Sequence, residues 1–207
     1  MSSTRFINLR LPESPDTITE LQVMDGRFVQ VLEDPSNARV VDLQGHLVLP
    51  GLIETHIHLD KACIMDRCRL EKGTLEEAIA KTSAAKAEFT EEVVYKRGAR
   101  LIEQAITQGT THMRTHVELD PGIDLTGFRA IRQLQQDYAW ALGLEICVFP
   151  QEGLLNNPGT EALLREAMEN GANLLGGCPY MDSDPVGQIR RLFELADHYN
   201  CDLDLHL

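Results

Sequence analysis

Two rhythms of apolar and polar residues divide this 207-residue chain near position 50. Before it, short alternating stretches, Phe28-Val29-Gln30-Val31-Leu32 and Arg39-Val40-Val41-Asp42-Leu43, are separated by turn signals at Asp25-Gly26, Asp34-Pro35-Ser36-Asn37 and Gln44-Gly45. That texture predicts small antiparallel strands. After it, short strand, long amphipathic helix and short strand succeed one another, the pattern of parallel βα units. Thr74 with Glu77 three residues on forms a capping box for a helix running to about Ala87. Val94, Leu101, Ile102, Ala105 and Ile106 share one face of a second helix that stops at Gly109. A strand over 111–118 leads through Asp120-Pro121-Gly122 into a helix from about Leu125 to Leu142, and a third strand covers 144–149. Thr160 reads as the cap of a helix ending at Gly171, and Leu174 to Pro179 as a fourth strand. Asp184-Pro185 is an N-cap followed by proline at the first helical position, and a fifth strand closes in Asp202-Leu203-Asp204-Leu205-His206-Leu207.

The first of the parallel strands carries the most informative residues. Strand side chains alternate between faces, so in Leu52-Ile53-Glu54-Thr55-His56-Ile57-His58-Leu59-Asp60 the even positions Glu54, His56, His58 and Asp60 share a face. Two imidazoles then converge on one point, and neutral imidazole is a preferred ligand for zinc and other first-row metals. A bare His-x-His is also the sequence of an ordinary polar strand end. Here Pro50-Gly51 fixes where the strand begins, which favours the metal reading. The later strands separate polar from apolar in the same manner. His112, Arg114, His116 and Glu118 oppose Met113, Thr115 and Val117; Glu145, Cys147, Phe149 and Gln151 oppose Leu144, Ile146 and Val148; Asp202, Asp204 and His206 oppose Leu203, Leu205 and Leu207. The apolar parity belongs beneath helices. The polar parity points into a closing sheet, whose C-terminal strand ends are where barrel enzymes place their chemistry.

Composition narrows the partners. A net charge of -13 argues against an electrostatic grip on nucleic acid or on an anionic membrane. Five dispersed cysteines without a Cys-x-x-Cys pair read as buried reduced thiols, and no apolar run suits a signal peptide or a membrane span, so the cytoplasm is the expected compartment. No Gly-x-x-x-x-Gly-Lys-Ser/Thr loop or Gly-x-Gly-x-x-Gly fingerprint suggests phosphate binding. His116-Val117-Glu118 matches half of the His-x-Glu, Pro-Cys-x-x-Cys signature of zinc deaminases, but no Pro-Cys-x-x-Cys follows.

Val48-Leu49-Pro50-Gly51-Leu52-Ile53 leading into His56-Ile57-His58-Leu59-Asp60-Lys61 resembles the first barrel strand of the amidohydrolase superfamily. Arg114-Thr115-His116-Val117, Phe149-Pro150-Gln151-Glu152-Gly153 and Asp204-Leu205-His206 are similar to later strands of its cytosine deaminase-like branch, which includes aminohydrolases of triazine rings. The resemblance implies an α/β fold: a short N-terminal β-sandwich segment over 1–50, then over 51–207 the first part, about five strands, of a (β/α)8 TIM-type barrel. It implies a metal-dependent amidohydrolase cleaving C–N bonds of a cyclic amidine or nitrogen heterocycle such as cytosine or a triazine. One divalent metal ion, zinc or iron, would be held by His56, His58 and His206, and Gln151 would hydrogen-bond the ring amide of a small-molecule heterocyclic substrate. A homo-oligomer is left open.

In that family a shuttle glutamate follows the strand-five histidine by three residues, and a metal-binding aspartate lies on strand eight. Both positions would fall beyond Leu207. The chain is therefore expected to be an N-terminal fragment, inactive alone, with a non-catalytic truncated or regulatory fragment as the alternative. Glu54, Asp60, Glu118 and Asp204 are the local carboxylates, each equally suited to pairing with Arg114 or Lys61.

Overall fold

In a computed structural model that describes residues 2–31, 35–66, 68 and 71–207, the chain divides into two compact units, Met1–Pro50 and Gly51–Leu207. The first contains β1 (Ser3–Leu11), β2 (Ser14–Met24), β3 (Arg27–Val29) and β4 (Arg39–Asp42) in one sheet ordered β3-β2-β1-β4. Asp25 and Gly26, both at positive φ (49° and 78°), make the tight β2–β3 turn, the backbone that a two-residue hairpin requires. The expectation of antiparallel strands holds for β1–β2 and β2–β3 but not for residues 39–43. There β4 passes β3 and joins the far side of β1, so it runs parallel, with Thr4 opposite Arg39. Leu32 of the expected strand and Asp34 of the expected turn lie outside the described residues.

The second unit runs β5 (Leu52–Ile57), α1 (Leu75–Lys86), α2 (Glu91–Thr107), β6 (Thr110–Glu118), α3 (Thr126–Asp137), β7 (Gly143–Phe149), α4 (Thr160–Glu169), β8 (Leu174–Gly177), α5 (Pro185–Tyr199) and β9 (Leu203–Leu205). The five strands lie in chain order, all parallel, in a curled sheet that is a partial (β/α)8 barrel. Burial follows the alternation read from the sequence. Met113, Val117, Leu144, Ile146 and Val148 join Ile102, Ile131, Leu134, Leu164, Leu192 and Leu195 in one core between sheet and helices.

Local signals set most boundaries, and the exceptions have causes. Thr74 accepts the Glu77 amide as N-cap of α1, but the Glu77 carboxylate reaches past Thr74 to the amides of Glu71, Lys72 and Gly73 at 2.7–2.9 Å. It organises the approach to the helix rather than closing a box. The third helix stops at Asp137, not Leu142: the amides of Ala141 and Leu142 both donate to the Tyr138 carbonyl at 2.9 Å, and this turn carries Leu142 into the core. Thr160 is the first residue of α4 rather than its cap. That place belongs to Gly159, at φ 104°, a conformation strained for other residues. Asp184 caps α5 as expected, accepting from the Gly187 amide at 2.9 Å. Of the five free cysteines, Cys68, Cys147 and Cys178 are buried, Cys201 is half-buried and Cys63 is exposed, so the thiols are not uniformly interior.

One glycine fixes how tightly the sheet curls. A Cβ on Gly176 would stand 2.8 Å from Cys147 Sγ and Phe149 Cβ and 2.9 Å from the Asp204 carbonyl, distances that two backbones cannot easily relieve. Gly176→Ala is expected to destabilise the chain by about 1–3 kcal/mol, read as a lower midpoint in urea. An unchanged midpoint would show that the strands have room to part there.

Candidate metal centre

The site is built from the strand ends upward. In β5 the register against β6 shifts by one residue between Glu54 and Ile57. Such irregularities re-aim side chains next to functional sites. The His56 amide turns to the Glu54 carboxylate at 3.0 Å. After Ile57 the chain leaves the sheet in a short 3-10 turn, Leu59–Lys61, held from three sides. The Leu59 amide donates to Thr115 Oγ1 at 3.0 Å; Arg97 of α2 donates to the carbonyls of Ala62 and Asp60 at 2.7 and 3.1 Å; the Glu118 amide donates to Asp60 Oδ2 at 3.0 Å. Asp60 therefore does not share the histidines' face. The turn carries it into the interior beside Gly127 of α3, where burial raises its carboxyl to about 6.

His56, His58 and His206 come together. One ligand atom from each lies within 4.8 Å of the others, and the Nε2 atoms of His58 and His206 stand 3.4 Å apart although 148 residues separate them. The His206 ring stacks on Phe149 at 4.8 Å, and its amide donates to the Gly177 carbonyl at 2.9 Å, which ties β9 to β8. His116 packs behind, stacked on His56 at 4.1 Å between centroids, fully buried, with its Nε2 3.4 Å from Asp204 Oδ2. Arg114 Nη1 holds the same Asp204 oxygen at 3.0 Å. Burial opposes the ionised form of Asp204, but the hydrogen bonds and charges of Arg114 and His116 together outweigh it and keep that carboxyl below its ordinary range.

The donor chemistry suits a divalent cation. Burial, and after it the charge of Lys61, pushes His58 down to about 2; burial first also lowers His116 to about 4, and His206 as well. These rings are neutral near pH 7, the form that binds metal. Neither His58 Nδ1 nor the ring nitrogens of His116 meet a well-formed hydrogen bond among the described residues. The facing Nε2 atoms of His58 and His206 share at most one proton between them, and a metal ion would engage both as acceptors.

Beside the histidines a cavity of about 220 Å³ is lined by His58, Lys61, Ile64, Gln151, Glu118 and, from α1, Ala78, Ile79, Thr82 and Ser83. Gln151, singled out from the sequence, lines it with its amide nitrogen 3.2 Å from Cys178 Sγ. Sequence reasoning missed what α1 does. Lys86, buried, binds Glu118 at 2.5 Å and Asp120 at 2.8 Å, and also Glu152; Lys61 takes the other Glu118 oxygen at 2.7 Å; Ser83 bonds Glu152. Burial alone would lower the Lys86 ammonium, but the three carboxylates outweigh it and raise it well above the usual lysine range. The available signal was Ala78, Ile79, Thr82, Ser83 and Lys86 at helical spacing, a mixed face unlike a plain core stripe. A larger cleft, about 430 Å³, is lined by Ile53, His112, Gly143 and Glu145 at the opposite, N-terminal ends of β5–β7, away from the chemistry expected at a barrel's C-terminal face.

Comparisons with known proteins agree with this arrangement. Residues 39–137 match the family model described as "Amidohydrolase family". N-isopropylammelide isopropyl amidohydrolase of Pseudomonas sp. (strain ADP) is 24% identical over 202 residues, covering 93% of this chain and 50% of that protein. Among solved structures, 5-methylcytosine deaminase from Klebsiella pneumoniae liganded with 5-fluorocytosine superposes with a TM-score of 0.86 at 31% identity, over 98% of this chain and 51% of that one. N-isopropylammelide isopropylaminohydrolase from Burkholderia multivorans gives 0.87 at 29% identity, over 100% and 53%. The chain belongs to the amidohydrolase superfamily. It spans about half the length of the relatives it matches.

The buried neutral rings make stability depend on pH. Below about 6.5 the unfolded chain protonates histidines that the fold keeps neutral, so His58, His116 and His206 weaken folding as pH falls. Asp60 acts oppositely, binding its proton near pH 6 in the fold and near 3.8 when unfolded. Three groups against one leave the histidines dominant. The metal-free chain is expected to lose on the order of 1–2 kcal/mol of urea stability between pH 7 and pH 5.5; equal stability at the two values would contradict the burial of neutral imidazoles.

Proposed function

We propose that the protein carrying this chain is a metal-dependent hydrolase that cleaves a C–N bond of a nitrogen heterocycle or cyclic amidine. The observation that supports this reading is the convergence of His56, His58 and His206 on one point, within 4.8 Å, with His58 also lining the cavity that Gln151 lines. The nature of the relatives agrees: proteins named for hydrolysis of isopropylammelide and deamination of 5-methylcytosine.

In this reading the three imidazoles would hold one divalent ion, zinc or iron, through ring nitrogens. Such an ion, when bound, lowers the pKa of water to about 7 and so supplies a nucleophile at neutral pH. His116 keeps His56 in place by stacking, and Asp204, anchored by Arg114, fixes His116. Gln151 carries an amide donor and an acceptor side by side, the complement of a ring N–H and carbonyl, and orients the substrate against the histidines. Lys61, held by Glu118, adds a charged donor on the same wall. The carboxylates here are engaged in ion pairs, Glu118 with two lysines and Asp204 with Arg114. Proton transfer to the leaving nitrogen is therefore assigned to groups other than these.

The test is Gln151→Leu in the protein that carries this chain, assayed by release of ammonia or amine from cytosine and aminotriazines. Removing a hydrogen-bond partner of a buried amide costs about 1–3 kcal/mol, so kcat/KM should fall roughly 5- to 150-fold with metal content unchanged. Loss of metal with this substitution, or no turnover of any cyclic amidine by the unaltered protein, would contradict the assignment.

A further inference from the structure

Resting on that reading, we infer that Lys86 is a positioning residue, whose ammonium, gripping Glu152 and Glu118, sets where Gln151 and Lys61 stand beside His58. Among the described side chains of α1, Lys86 alone is buried. A helix that required only packing would place an apolar residue there, since an ammonium is costly to desolvate and an apolar side chain of similar volume often does as well or better. The charge is therefore kept for what it holds.

A lysine has three donors, and here they meet three separate segments: Glu118 at the end of β6, Asp120 just after it, and Glu152 in the loop after β7. Two of these lead directly to the cavity. Glu118 gives its other oxygen to Lys61 Nζ at 2.7 Å, and that ammonium lies 5.3 Å from the centroid of the Phe149 ring on which His206 stacks. Glu152 adjoins Gln151 in the chain, and Ser83, three residues before Lys86 on α1, bonds the same carboxylate. The Gln151 amide reaches Cys178 Sγ at 3.2 Å, and a thiol is a weak acceptor. Placement of that side chain therefore depends on the backbone that carries it.

Two other roles fit Lys86 less well. Burial lowers its ammonium, but the three carboxylates outweigh that and raise it well above the usual lysine range, so it holds its proton rather than donating it. Nor does it anchor the whole loop after β7. The Asp182 carboxylate accepts from the amides of Leu154 and Leu155 at 2.7 and 2.9 Å, which fixes the far half of that loop independently. Lys86 governs the near half, where Gln151 lies.

The experiment is a double-mutant cycle in the zinc-loaded protein carrying this chain, with cytosine and an aminotriazine as probes. Lys86→Met and Glu152→Ala should each lower kcat/KM roughly ten- to hundredfold, with zinc content unchanged. In a Gln151→Leu background each should cost about tenfold less, because residues that act as one network are not additive. Losses that multiply in full, or loss of zinc, overturn the positioning role. Glu152 is partly exposed, so Glu152→Ala carries the cycle where Lys86→Met does not fold. Hydrogen exchange of the same variants needs no turnover: amides 151–153 should exchange faster while those of 203–205 keep their rates. Unchanged exchange at 151–153 overturns the inference, whereas absence of turnover by the unaltered protein overturns the heterocycle reading alone.

Discussion

His58 and His206 belong to opposite flanks of a five-stranded sheet, yet their Nε2 atoms lie 3.4 Å apart. A flat sheet would separate strands four places apart by nearly 20 Å, since neighbours sit about 4.8 Å from one another. The contact therefore exists only because the sheet curls hard enough to bring its first and last strands face to face, as strands do when tilted into a barrel. Everything else about the site depends on that curl. It narrows the interior until His56, His58, His116, His206 and Phe149 touch, and it leaves room for a glycine alone at position 176.

Curl has an electrostatic consequence. Four imidazoles crowd together, His56 open to solvent and the other three partly or fully buried, and burial favours the neutral form of those three. Neutral rings with few partners are costly to bury unless something later binds them. A second set of charges, the buried Lys86, Glu118 and Asp120 with the partly exposed Lys61 and Glu152, is by contrast satisfied internally. Removing one partner from such a set typically costs about 3–5 kcal/mol. The two clusters thus divide the strand ends between them, one poised for a ligand and one holding α1 and the loop after β7 against the sheet.

Much of this was legible in the sequence because period-two alternation survives in β6, β7 and β9. The helix-facing parity of Met113, Val117, Leu144, Ile146 and Val148 is the core, and the opposite parity holds the histidines. Alternation failed where the backbone departs from a regular strand. The register shift in β5 and the turn after Ile57 move Asp60 to the far side, and nothing in Leu59-Asp60-Lys61 announces a turn. The parallel course of β4 was equally hidden, since strand direction depends on which neighbour is chosen, not on pattern. The role of α1 was only faintly marked, for another reason. Its cavity face mixes alanine, isoleucine, threonine, serine and lysine, and the partners of Lys86 come from positions 32, 34 and 66 residues away.

The claim on which the account turns is that three imidazoles from β5 and β9 form one metal site. X-ray absorption at the zinc edge of the zinc-loaded 207-residue chain measures it directly. The account predicts one tightly held zinc with three imidazole nitrogens at about 2.0–2.1 Å, one of them lost in His206→Ala and none in a variant of the exposed His112. A shell containing sulfur, or one indifferent to His206→Ala, would contradict it.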